Sequence, residues 1–194
     1  FHSVVCREPE PFALALAGVH QAENAALVIM AAKLLEREDV RVTEKAIRTA
    51  LRTVRHPARF EILANEGVPV VIDGAHNPAG MWALRTGLDT YFPDLPRVFL
   101  LGILKDKDID TMLAALLRPG DQVVTVRPNS ERAAAADVVA AVAAGMGLVT
   151  VACDDRAKGL DEAVRRAHVR SALLVVAGSL YLVGDIRAML TAGR

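Results

Sequence analysis

Asp73, Gly74, Ala75, His76, Asn77 and Pro78 form one unbroken run directly after the apolar stretch Val70-Val71-Ile72. A carboxylate and an imidazole just past a buried strand stand where open parallel sheets bind their ligands, outside the carboxyl ends of the strands. Gly74 allows a tight turn close to such a ligand. Asn77 followed by Pro78 reads as an N-cap with proline at the first helical position, so His76 stands just ahead of a helix N-terminus. That end carries free N–H groups and partial positive charge, which favour phosphate. The same residues would also make a purely structural turn, with Asp73 hydrogen-bonding the backbone and Asn77 only starting the helix.

Other residues have chemistry to offer. His20 and Asn24 lie four apart on one helix face, beside Gln21, and a side-chain amide can both donate to and accept from an adenine edge or serve a core partner. Arg59 can fork onto phosphate oxygens or sit in a surface ion pair. Lys105, Asp106, Lys107 and Asp108 read as a solvated loop ahead of a helix that Asp108 caps. Ser179 and Tyr181, past the last apolar run, carry hydroxyls, and read equally as an N-cap and a packed aromatic. Met81 and Trp82 read as packing residues. His2, His56 and His168 have no obvious partner, and nothing near His76 has metal-ligand spacing. Cys6 and Cys153 are too few for a disulfide framework or a four-ligand zinc site, so we expect small buried thiols in a reducing, cytoplasmic compartment.

The elements that must position these groups follow from composition and periodicity. The chain has 194 residues, 23 basic and 23 acidic side chains, and 53% hydrophobic residues. At roughly 150 residues per domain this is one domain plus a remainder. The balanced charge argues against a nucleic-acid partner, and no apolar run is long enough to cross a bilayer. His20 to Glu36 predicts a helix that is apolar almost all round and therefore mostly buried. Thr43 predicts the N-cap of a second helix carrying Ala46, Ile47, Ala50, Leu51 and Val54 on one face. A boundary falls across Val54 to Arg59.

Beyond it, apolar runs alternate with helical stretches, the mark of an α/β fold with a mainly parallel sheet. The expected strands are Phe60 to Leu63, Val68 to Ile72, Val98 to Leu101, Val123 to Val126, Leu148 to Ala152 and Leu173 to Ala177, covered on both faces. The first two, separated by four residues, should pair as an antiparallel hairpin. Helices are expected over Ala79 to Tyr91, Ile109 to Leu117, Ala133 to Ala144, Ala157 to His168 and Leu180 to Leu190.

DGAHNP at Asp73 to Pro78 resembles the signature of the C-terminal domain of folylpolyglutamate synthases, in the Mur ligase superfamily. GVHQAENAALVIMA at Gly18 to Ala31, HPARFE at His56 to Glu61, LLGILKDKD at Leu100 to Asp108 and GSLYLVGDIR at Gly178 to Arg187 agree in order and spacing. The resemblance implies a Rossmann-like, mostly parallel six-stranded sheet with one antiparallel hairpin strand over residues 56–194. Residues 1–55 would be a short helical remnant of a central ATPase domain. It also implies an ATP-dependent ligase in which a folate carboxylate is phosphorylated and the resulting acyl phosphate is attacked by L-glutamate. Dihydropteroate is a possible second acceptor.

By resemblance Asn24 contacts adenine, Arg59 the nucleotide, Asp73 the ribose hydroxyls and His76 the phosphates, with His20 and Gln21 as further candidates. Lys105, Lys107, Ser179 and Tyr181 would hold glutamate, with Asp106 and Arg132 nearby; Pro128 to Arg132 resembles the family's short segment carrying an arginine near the cleft. Ala58 stands where the family usually has glycine. No Gly-Lys pair exists, so no ATP-cradling loop of the G-x-x-x-x-G-K-[ST] type is present. That loop and the principal Mg²⁺ ligands would belong to a missing N-terminal ATPase domain that this chain, a piece of a longer monomeric polypeptide inactive by itself, closes upon like a jaw. Two other readings stand beside it: a peptidoglycan-precursor ligase of the same superfamily, and a free-standing nucleotide-binding or assembly module, though without G-x-G-x-x-G.

Overall fold

The computed structural model describes residues 11–36 and 40–192. Cys6 and His2 lie outside them. The chain divides after His56 into two compact units.

The first unit holds α1 (Val19–Leu35) and α2 (Glu44–Thr53), the latter capped by Thr43, whose hydroxyl accepts from the Ala46 N–H at 3.2 Å. Ala25 and Ala32 of α1 are buried with Ile47 and Leu51 of α2, against Phe12, Leu14 and Val42. The expectation that α1 is mostly buried fails: Leu27 is 63% exposed, and Val28, Met30, Leu34 and Leu35 are exposed with it. A helix that is apolar all round needs cover on every side. Among the described residues its core contacts are to α2 and the short stretches beside it.

In the second unit the sequence expectation of a mostly parallel six-stranded sheet holds. Its strands are β1 (Glu61–Asn65), β2 (Val68–Ile72), β3 (Arg97–Leu101), β4 (Gln122–Val126), β5 (Val149–Cys153) and β6 (Leu173–Ala177), in the order β1-β2-β6-β3-β4-β5. Only β1 and β2 pair antiparallel, Leu63 opposite Val70. The first strand starts at Glu61 because Phe60 has a left-handed backbone, with φ of 46°. The central strands are sealed on both faces, but the edge strands β1 and β5 are only partly buried, against the expected two-sided cover.

Helices α3 (Pro78–Tyr91), α4 (Ile109–Leu116) and α5 (Ala136–Gly145) follow β2, β3 and β4, while α6 (Arg156–Val169) and α7 (Leu180–Thr191) follow β5 and β6. Right-handed crossovers that advance along the sheet put α3, α4 and α5 on one face; the return from β5 to β6 puts α6 on the other. Val70, Val98, Val124 and Leu174 form one core with Leu160, Ala163, Val183 and Ile186 of α6 and α7. On the opposite face the Thr125 hydroxyl donates to the Ala136 carbonyl of α5 at 2.7 Å. The fifth helix begins at Ala136 and not at Ala133, because Ala133 bridges Leu104 and the Ala134 N–H donates to the Ile103 carbonyl at 2.9 Å. Neighbouring strands whose following helices leave to opposite faces are β2 and β6, β6 and β3, and β4 and β5. Each such switch opens a crevice at the carboxyl edge.

Candidate functional site

The run from Asp73 to Pro78 occupies the carboxyl end of β2, beside β6. The Asp73 N–H continues the ladder by donating to the Val176 carbonyl at 3.0 Å. Its carboxylate is 7% exposed and accepts two backbone N–H groups at 2.8 Å, Ala75 on Oδ1 and Phe60 on Oδ2. The side chain therefore braces the turn, joining it to the start of the hairpin. The Gly74 N–H donates to the Ala58 carbonyl at 2.8 Å, and the Gly178 N–H to the Ala75 carbonyl at 3.0 Å, so the loops before β1, after β2 and after β6 are stitched together. Gly178 adopts φ of 113°, and a Cβ there would come within 2.7 Å of the Gly102 carbonyl oxygen. Only glycine fits this crossing of two backbones.

Two side chains with polar atoms to spare emerge from the stitched loops. Arg59 is half-buried between Ala58 and Phe60, whose φ values of 62° and 46° are both left-handed. Its guanidinium has no partner among the described residues. His76 is half-buried, with Nδ1 2.8 Å from the Gly74 carbonyl. A carbonyl only accepts, so Nδ1 carries the hydrogen and Nε2 is left for a ligand. Asn77 caps α3 as expected, accepting from the Gly80 N–H at 2.8 Å. The N-terminus of this 14-residue helix therefore begins beside His76.

A second cluster forms at the ends of β3 and β4. Lys105 N–H donates to the Arg132 carbonyl at 2.8 Å, and Arg132 Nη2 reaches Asp106 Oδ2 at 2.6 Å. Lys107 Nζ lies 3.6 Å from the same carboxylate oxygen. Arg132 and Lys107 hold the Asp106 carboxyl below its usual range, the Arg132 hydrogen bond contributing most. Lys105 is exposed and its ammonium has no partner among the described residues. Asp108 caps α4, accepting from the Thr111 N–H at 3.1 Å. Past β6, Ser179 is buried and its hydroxyl accepts from the Leu182 N–H at 3.2 Å, whereas Tyr181 is half exposed.

In the first unit His20, Gln21 and Asn24 form a chain. Gln21 Nε2 lies 3.0 Å from His20 Nε2, and Asn24 Nδ2 donates to Gln21 Oε1 at 3.4 Å. The two amides rim an apolar slot of about 270 Å³ whose walls include Leu14, Leu16, Val28 and Leu51.

Some expectations fail and some features were missed. Met81 is fully buried, but Trp82 is 62% exposed: it lies on the outward face of α3, where packing was expected. Cys153 is half-buried with its thiol pushed up by burial. Sequence reasoning missed Arg127 and Arg156, which line a cleft of about 460 Å³ at the ends of β4 and β5; the signal was an arginine directly after β4 and another at the start of the helix that follows β5. It also missed Arg187, whose Nε and Nη2 grip both oxygens of Glu61 at 2.8 and 3.0 Å. No group of three metal-ligating side chains exists among the described residues.

The family model for the Mur ligase, glutamate ligase domain, matches residues 58–180. A probable bifunctional folylpolyglutamate synthase/dihydropteroate synthase of Halobacterium salinarum is 39% identical over 182 residues, covering 91% of this chain and 21% of that protein. Among solved structures, Mycobacterium tuberculosis folylpolyglutamate synthase complexed with ADP and AMPPCP is 30% identical with a TM-score of 0.82, covering 92% of this chain and 41% of that one. A bifunctional folylpolyglutamate synthase/dihydrofolate synthase with Mn, AMPPNP and L-glutamate bound is 25% identical with a TM-score of 0.72, covering 95% and 43%. The chain thus spans about a fifth of the haloarchaeal relative and about two fifths of the two synthases.

Proposed function

This chain belongs to the Mur ligase glutamate ligase domain family, and from that premise we propose that it is the glutamate-adding lobe of an ATP-dependent folate ligase. Folylpolyglutamate synthase relatives support the folate branch over a peptidoglycan-precursor ligase or a free-standing nucleotide-binding module. In the reaction, ATP transfers its terminal phosphoryl group to the folate carboxylate, giving an acyl phosphate and ADP. The L-glutamate amine then attacks the acyl carbon, forming the amide and expelling phosphate. Dihydropteroate is an alternative acceptor.

Such chemistry needs positioning, charge neutralisation and exclusion of water more than a protein nucleophile. The observation that carries the reading is the pair of unspent groups, the Arg59 guanidinium and His76 Nε2, on two loops braced together beside the N-terminus of α3. Arg59 and the helix terminus take nucleotide phosphate oxygens, with His76 standing beside them. Asp73 acts chiefly as a positioning residue, through the two N–H groups it holds. In the first unit Asn24 reads adenine, whose flat apolar rings suit the slot that Asn24 and Gln21 rim, with His20 orienting Gln21. Lys105 and Lys107 hold glutamate carboxylate, with Asp106 and Arg132 fixing their loop, and Tyr181 and the Ser179 turn complete that subsite. When bound, Mg²⁺ would neutralise phosphate charge; its ligands and the phosphate-cradling loop are expected mainly in a central ATPase domain of the kind that the resemblance implies. The chain by itself is therefore expected to be inactive.

Calorimetric titration with Mg·ADP should show binding weaker than in an intact synthase, and Arg59→Ala should weaken it further by roughly tenfold. Affinity equal to that of an intact synthase, or indifference to Arg59→Ala, sinks the reading.

A further inference from the structure

The carboxyl edge of the sheet has three switch crevices, and the candidate site occupies those around β6. The third lies between β4 and β5, where Arg127, Asn129, Ser130, Glu131, Asp154 and Arg156 line the cleft of about 460 Å³. Arg127 is exposed and has no partner among the described residues. Arg156 is held in place by charge alone: its Nε lies 3.1 Å from Asp185 Oδ2 on α7, yet neither atom makes a directed hydrogen bond. A cleft with one unspent and one incompletely satisfied guanidinium is built to take carboxylates.

We propose that this cleft holds the γ-linked glutamate tail already carried by the folate acceptor. The inference rests on the ligase reading given above. Each glutamate joined through its γ-carboxyl leaves one free α-carboxylate and one amide N–H, so a growing acceptor is a string of spaced anions and donors. Arg127 and Arg156 pair with α-carboxylates, while Glu131 and Asp154 on the same rim accept amide N–H groups. The two acids repel any anion, so the amide N–H groups that they can accept from are what favour a γ-glutamyl chain over phosphate on this rim. Arg59 precedes β1, Lys105 follows β3, Arg127 directly follows β4 and Arg156 opens α6 after β5, so each of these side chains belongs to the loops of the carboxyl edge or their borders. Neighbouring strands lie about 4.8 Å apart, so a tail of a few residues spans from the glutamate subsite to this cleft.

The test titrates the chain with the γ-linked tripeptide of L-glutamate, with free L-glutamate, with inorganic phosphate and with Mg·ADP. The tripeptide should bind more tightly than either small anion, and Arg127→Ala should weaken it by about tenfold while Arg127→Lys keeps part of the affinity. Mg·ADP binding should be the same in wild type and both variants, which also reports that they are folded. Tripeptide affinity indifferent to Arg127→Ala, or phosphate binding as tight as tripeptide, overturns the tail site and leaves the ligase reading standing. Loss of Mg·ADP binding by the wild-type chain overturns the ligase reading itself.

Discussion

At the scale of single residues, the site depends on a backbone that its own sequence resists. Ala58 and Phe60 both hold left-handed φ values, and Ala58 occupies a position where the resemblance implies glycine. A left-handed conformation costs a residue with a Cβ about 1–2 kcal/mol, whereas glycine adopts it freely. Ala58→Gly should therefore stabilise the chain by about 1 kcal/mol, the gain offset in part by glycine's larger unfolded-state entropy. Urea unfolding measures it, and a destabilised variant would show that the left-handed turn is not where the cost lies. The turn survives because Asp73 holds the Phe60 N–H and the Ala58 carbonyl accepts from Gly74. The DGAHNP run made both a ligand site and a turn held by Asp73 legible in sequence, but the bond from Asp73 to the Phe60 N–H was not, because that partner lies thirteen residues upstream.

At the scale of elements, the hairpin carrying Arg59 is clamped to α7 by Glu61 and Arg187, 126 positions apart. The Arg187 hydrogen bond holds the Glu61 carboxyl below the usual glutamate range, and Arg165 and Arg166 on α6 draw Glu162 down to about 2. Both folded pKa values lie below the unfolded ones, so the stability they contribute is present above the ordinary glutamate range and lost as pH falls through the folded values. For Glu162 that window runs down to about 2, and solvent screening keeps its share small. Glu61→Gln should lower the melting temperature at neutral pH and flatten its fall in acid. An unchanged acid limb in that variant would show that the clamp does not carry it.

At the scale of the whole molecule, the apolar circumference of α1 is the feature out of keeping with a free chain. Leu27, Val28 and Leu34 are more than half exposed, a patch of the kind that marks an interaction surface. The central ATPase domain implied by the resemblance is the cover we expect. Leu27→Glu with Leu34→Glu should reduce self-association of this chain in sedimentation velocity runs, while in an intact synthase the same pair should lower the melting temperature. An intact protein indifferent to both changes would mean that another surface provides the cover. Strand number, the hairpin, the caps at Asn77, Asp108 and Ser179, and the family itself were decided by the sequence alone, since each rests on local periodicity, a side chain reaching three residues ahead, or a contiguous motif. Tertiary structure alone decided which loops meet, that Asp73 reaches the Phe60 N–H, that Glu61 is gripped by Arg187 and that Arg127 and Arg156 share a cleft. Those outcomes depend on strand order and on where each crossover returns, and a pattern of period two or 3.6 carries no record of either.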